Sequence, residues 1–208
     1  MIFQIPKQFI VDFRWKTVTT SVQENWPFLR KEQVDKGVYN ELRKAVSGPQ
    51  VYRFCFNGTA GTRRCYVGES EQFEHRLSQY VGTLTKLRSK QWVDDFTPAD
   101  MERACKELQN DSKVRIGAAI QNAELDGDRI DLQVIDFDEF YFNEVSISLE
   151  GLSSPFLRRM IENLAILTSE TSGFHMLNNG RDVHAKWLSQ RLCGNRKAKN
   201  HPSGAKAL

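Results

Sequence analysis

The stretch CYVGESEQFEHRLSQY, residues 65–80, joins a short apolar run ending in Tyr66-Val67-Gly68 to a helical pattern bearing Arg76 and Tyr80. Residues four apart in a helix lie on one side, a turn from each other. The guanidinium of Arg76 stays charged and can fork onto two phosphate oxygens. A phenol ionises near pH ~10 when free, so one that takes up a proton near neutrality needs a cation close by. Farther along, SSPFLRRMIENLAILTSE sets Glu162 among Met160, Ile161, Leu164, Ala165 and Leu167 on a helical pattern. A carboxylate so flanked lies on an exposed stripe or is pinned to a metal ion or an arginine. With Ile161, Leu164, Ala165 and Thr168 on one face, Glu162 falls at its edge, where a cleft can lie.

Several elements must hold these groups. Residues 50–56, QVYRFCF, are β-branched and aromatic and read as a strand. NGTAGTRR opens with an Asn-Gly turn signal, and CYVG returns, so the two runs predict an antiparallel hairpin. The next helix has Ser70 as a natural N-cap and Phe73, Leu77, Val81, Leu84 and Leu87 at core spacing. PADMERACKELQ, 98–109, reads as another helix. KVRIGAAIQNAEL and RIDLQVIDFDEFYF read as a second hairpin about the turn DGD. The last helix has Ser153 or Ser154 as cap and Pro155 in its first turn. Upstream, FIVDFRWKTVTTSV reads as a strand and PFLRKEQVDKGVYNELRKAV as a helix interrupted near Gly37. SGP at 47–49 marks a boundary.

The 208 residues bury a real core, and 40% apolar with 26% charged residues is a globular composition. The net charge of +3 says little by itself. Its distribution says more: 124–150 is acidic, and Lys and Arg outnumber Asp and Glu from Arg181 onward. A basic end fits a polyanionic partner or a solubilising tail. Four cysteines without a C-x-x-C pair exclude a zinc knuckle or disulfide scaffold and suggest a reducing compartment. No run approaches the roughly 20 apolar residues of a membrane span, and the N-terminus is a poor secretion signal. The expectation is a cytoplasmic protein that does not engage a membrane.

The strings PQVYRF, CYVGESEQFEHRLSQY and RRMIENLAIL, in that order, resemble the GIY-YIG nuclease family. The run from Tyr66 to Tyr80 looks like the N-terminal nuclease domain of the bacterial nucleotide-excision-repair incision subunit. A second copy of the tripeptide, GVY at 37–39, sits in a helical pattern too far upstream for a hairpin and is set aside. The resemblance implies an α+β fold: a GIY-YIG-like small antiparallel sheet, a hairpin plus a third strand, flanked by helices, with an inserted helix and hairpin region. The corresponding division is 1–48 as N-terminal extension, 49–180 as nuclease-like domain with an insertion about 88–128, and 181–208 as basic C-terminal segment.

The resemblance also assigns roles in phosphodiester hydrolysis, which must activate a water, neutralise charge growing on phosphate oxygens and assist a leaving group. Tyr52 and Tyr66 would sit near the attacking water, with Tyr66 the proton acceptor. Arg76 would hold the phosphate and Tyr80 would reach it too. Glu162 would bind a single divalent cation, magnesium or manganese. Gly68 would let the backbone turn closely under the site. His75 is a further candidate, although an adjacent helical residue points ~100° away from Arg76. Either Asn178 or Asn179 matches an asparagine that follows the glutamate in the family; an Asn-Gly turn explains the pair equally well. Arg196 and Lys197 in the tail would clamp a nucleic-acid backbone. The implied partner is DNA, with RNA as the alternative, and cutting both strands at once would need a homodimer.

This sequence departs from the pattern at two positions and in the length of the stretch between Tyr80 and Glu162. Gln50 stands where the motif has glycine. Glu69 follows Tyr66-Val67-Gly68 where the repair nuclease has lysine, and a carboxylate there repels a phosphate unless it binds metal. The competing expectation is therefore a GIY-YIG-fold protein that has lost catalysis and only binds nucleic acid.

Overall fold

The computed structural model describes residues 14–24, 26–29, 36–59, 61–89, 111–136, 140–142 and 145–178. They form an α+β structure around a five-stranded mixed sheet. The strands are β1 (Arg14–Thr20), β2 (Gln50–Asn57), β3 (Arg63–Ser70), β4 (Arg129–Asp136) and β7 (His175–Met176), in the order β1-β4-β2-β3-β7. Each hydrogen-bonded pair among β1, β4, β2 and β3 is antiparallel, and β7 runs parallel to β3. Two short strands, β5 (Phe140–Phe142) and β6 (Val145–Ile147), pair separately. Among the described residues there are four α-helices: α1 (Lys36–Ala45), α2 (Phe73–Ser89), α3 (Ser112–Asp126) and α4 (Pro155–Thr171).

Alternation along the strands builds two cores. Tyr52, Phe54 and Phe56 of β2, with Tyr66 of β3 and Ile130, Leu132 and Val134 of β4, meet α1, α2 and α3 on one face. Val51, Cys55, Cys65, Val67 and Ile135 meet Ile161 and Ala165 of α4 on the other. The sheet is thus sandwiched, and a site at its β3 edge is reached by helices from both layers.

Strands β2 and β3 form the expected antiparallel hairpin, with Tyr52 opposite Gly68, Phe54 opposite Tyr66 and Cys55 opposite Cys65. Gln50 is an ordinary first residue of β2, paired with Ser70. Gly37-Val38-Tyr39 lies in α1, where the Tyr39 hydroxyl meets Ser78 Oγ at 3.3 Å.

Three expectations are corrected. The sheet is larger than a hairpin plus one strand, and it is mixed. KVRIGAAIQNAEL is not a strand but most of α3, capped by the Asp111 side chain accepting from Lys113 N–H and ended by Gly127 at φ 72°. Ile116 and Ile120 are fully buried there, each contributing about 1.5–3 kcal/mol. That outweighs a β-propensity scale spanning only ~1 kcal/mol in all. The partners of β4 are therefore β1 and β2. Finally, Ser70 ends β3 instead of capping α2. Helix α2 starts at Phe73, whose N–H donates to Gly48 O at 3.0 Å, while Glu74 Oε2 accepts from Gly48 N–H at 3.0 Å.

Residues 14–20, read as part of an N-terminal extension, supply an outer strand of the sheet. The helix expected at 98–109, together with Asn179, Arg196 and Lys197, lies outside the described residues, as does the basic segment 181–208. Among the described residues no helix is long and apolar enough to cross a membrane. Cys55 and Cys65 are free thiols, both buried.

Candidate active site

The candidate residues gather where β3 runs past its short neighbour. Strand β7 pairs only with Arg64 and Cys65, so the β3 edge would be bare from Tyr66 onward. At Val67 the side chain of Asn178 takes over. Its Oδ1 accepts from Val67 N–H at 3.1 Å and its Nδ2 donates to Val67 O at 2.7 Å. The Asn178 carbonyl in turn accepts from Arg115 Nη1 at 2.6 Å. Asn178 thus holds the strand between Tyr66 and Gly68. Asn178→Ala leaves two backbone groups of fully buried Val67 without partners. We expect a loss of about 2 kcal/mol in urea unfolding, with Asn178→Asp, which can only accept, recovering part of it.

Tyr52 projects from β2 over Gly68. A Cβ on residue 68 would lie 2.7 Å from Tyr52 Oη and 3.1 Å from Tyr66 Cε1. Glycine is needed for this close approach and not for a turn, since Gly68 is a strand residue without positive φ. Phe73 stacks on the Tyr52 ring at 4.2 Å between centroids. The Tyr52 hydroxyl meets the Tyr80 hydroxyl at 2.7 Å. Both rings are about 1% exposed, whereas Tyr66 is 7% exposed.

Burial pushes the Tyr52 phenol above its usual range and the charge of Tyr66 adds to this; the Tyr80 hydrogen bond and Arg76 oppose it, and Glu162 also raises it. Burial likewise raises Tyr80, reinforced by Tyr52 and Tyr66. Tyr52 and Tyr80 are thus both kept protonated near neutrality. Tyr80 was expected to reach the phosphate beside Arg76; its hydroxyl is instead turned inward to Tyr52.

Arg76 is half-buried on α2, one turn before Tyr80. With Glu69, Gln72, His75, Gln79 and Arg158 it lines a polar cleft of about 320 Å³. His75 stands exposed on the cleft wall.

Glu162 comes from the opposite layer. Ser154 caps α4 by accepting from Leu157 N–H, with Pro155 in the first turn as expected. Ile161 and Ala165 bury into the sheet and leave Glu162 half-buried at the margin of that face. Burial pushes its carboxyl up to about 7; the negative charge of Glu69 adds to the rise, while Arg159 and Arg76 oppose it.

The ordinary value is 4.5, so between about 4.5 and about 7 the folded chain holds a proton that the unfolded chain releases. Stability from this group therefore falls as pH climbs through that window, and levels off above it. Thermal scans in metal-free buffer should show Glu162→Gln melting about 2–4 °C higher than wild type at pH 8, with the gain vanishing toward pH 5.

Glu69 is not left bare beside the cleft. Its Oε2 accepts from Arg158 Nε at 2.8 Å. Arg158, one turn before Glu162, is 3% exposed, and its Nη1 donates to Leu152 O at 2.6 Å and Ser153 O at 2.9 Å. Sequence reasoning missed Arg158. Its spacing to Ile161 and Ala165 puts a cation on the buried stripe of α4, and that demands a carboxylate partner.

The chain matches no family model, no curated protein and no solved structure in the three comparisons.

Proposed function

We propose that this chain is a metal-dependent endonuclease with a GIY-YIG-like arrangement, hydrolysing phosphodiester bonds in DNA. The observation that carries the reading is the gathering of Tyr52, Tyr66, Tyr80, Arg76 and Glu162, from both layers of the sandwich, around the β3 edge at Gly68. Arg76 and Glu162 lie close enough for their charges to act on the buried Tyr52 phenol, and Arg76 likewise acts on the Glu162 carboxyl.

Arg76 can fork onto two oxygens of a phosphate in the cleft. Tyr66, the most accessible of the three phenols, takes the proton of the attacking water. Tyr52 and Tyr80 stay protonated and hold their hydroxyls in a fixed pair behind it. Asn178 keeps β3 in place under Tyr66. Glu162 is suited to a magnesium or manganese ion: it offers hard oxygen, and burial, with the negative charge of Glu69 beside it, raises its carboxyl in a way that a bound cation would offset. Such a cation, when bound, supplies the charge that phosphate oxygens and a leaving group need.

A second reading is a nucleic-acid-binding protein without catalysis, favoured by Glu69 on the cleft wall where the repair nuclease has lysine. Incubating the purified chain with supercoiled plasmid in magnesium separates the two. Nicked or linear product that EDTA suppresses supports the nuclease. Plasmid bound in a salt-sensitive way yet left intact in magnesium and in manganese supports the second reading.

A further inference from the structure

We infer that the ion pair Glu69–Arg158 sets how strongly the cleft holds an anionic backbone, with buried Arg158 cancelling a half-buried carboxylate that would otherwise repel it. This rests on the reading of the cleft as the place where nucleic acid sits.

Both residues line the cleft that Arg76 enters. The two sides of the pair differ in freedom. Arg158 has a side chain 4% exposed and is fixed by two main-chain carbonyls besides Glu69. Glu69 keeps 23% of its side chain exposed. The carboxylate is therefore the member that an incoming phosphate meets, and the guanidinium stands behind it. Among the described residues no second cation lies within ion-pair distance of Glu69. Removing Arg158 would leave an uncompensated negative charge on the wall of a site for a polyanion. Removing the charge of Glu69 would leave a net positive one.

A purely structural brace predicts something different. Either single change would loosen the start of α4 and the turn Leu149–Ser153, and neither would improve binding. The charge-setting role predicts opposite signs for the two changes and near-cancellation when they are combined.

The test measures binding of a fluorescein-labelled duplex DNA by anisotropy in EDTA, with the full chain, at several salt concentrations. The variants are Glu69→Gln, Arg158→Met, the double variant and Arg158→Lys. We expect Glu69→Gln to bind about three- to tenfold more tightly than wild type and Arg158→Met about as much more weakly, from one unit charge at close range in a solvated cleft. The double variant should return to within about twofold of wild type, and Arg158→Lys should stay near it. The salt slope should steepen for Glu69→Gln. Should Arg158→Met fail to fold, Glu69→Gln and Arg158→Lys carry the same decision. Wild type that binds DNA while Glu69→Gln binds equally or more weakly overturns the inference and leaves the functional reading standing. Wild type that binds no nucleic acid at all overturns the functional reading, and this inference with it.

Discussion

Glu162→Ala should lower magnesium-dependent plasmid cleavage about a thousandfold or more, while DNA binding in EDTA stays within about threefold of wild type. The effect is large because Glu162 is the carboxylate of the group coupled to Arg76 and Tyr52, and the cation it would hold acts on the developing charge of the reaction, not on the resting complex. Folding should not suffer. The side chain is half-buried, and above pH 7 its charge opposes folding, so the variant should melt no lower than wild type there. Single-turnover rates beside anisotropy and a thermal scan check all three. Equal cleavage by the variant would remove Glu162 from the mechanism.

Gly68→Ala should be the most damaging single-methyl change to the core of the site. The added Cβ would sit 2.7 Å from the Tyr52 hydroxyl and 2.8 Å from the ring carbon bearing it. Tyr52 cannot swing away, because Phe73 stacks on one side of its ring and Tyr80 holds its hydroxyl. Either the hydroxyl pair breaks or β3 moves off β2. Overpacking of this kind costs about 1–3 kcal/mol, and a broken buried hydrogen bond adds about 1. Urea unfolding should show a loss of about 2–4 kcal/mol, and cleavage should fall by more than a hundredfold because Tyr66 shifts with the strand. Tyr52→Phe in the Gly68→Ala background should recover part of the stability, since it deletes the atom in closest conflict.

The hairpin, α2 and α4 were legible because their apolar periodicity and turn residues agree with their burial. Tyr52, Tyr66, Arg76 and Glu162 were singled out by the family resemblance, which left Asn178 and Asn179 as alternatives to each other and to a simple turn. Helix α3 was misread because Val114, Ile116 and Ile120 are good strand formers. The deciding facts were its burial against α2 and the caps at Asp111 and Gly127. Strand β1 could be seen as a strand but not as a partner of β4, since pairing between distant segments leaves no local pattern. The inward turn of Tyr80 was hidden for a similar reason. Its helical spacing to Arg76 fixes the side of α2 but not which of the two reaches the core. Arg158 left a readable sign, a cation in the buried stripe of α4, and Glu69 was its answer.

The central claim is that these side chains act as one hydrolytic unit. Single-turnover plasmid cleavage by wild type, Tyr66→Phe, Arg76→Ala and the double variant in magnesium tests it most directly. Residues of one catalytic unit lose function non-additively. The account predicts cleavage by wild type, a fall of at least about a hundredfold for each single variant, and a double variant hardly slower than the worse single one. Wild type that leaves the plasmid intact, or single variants that cleave as fast as wild type, would contradict it.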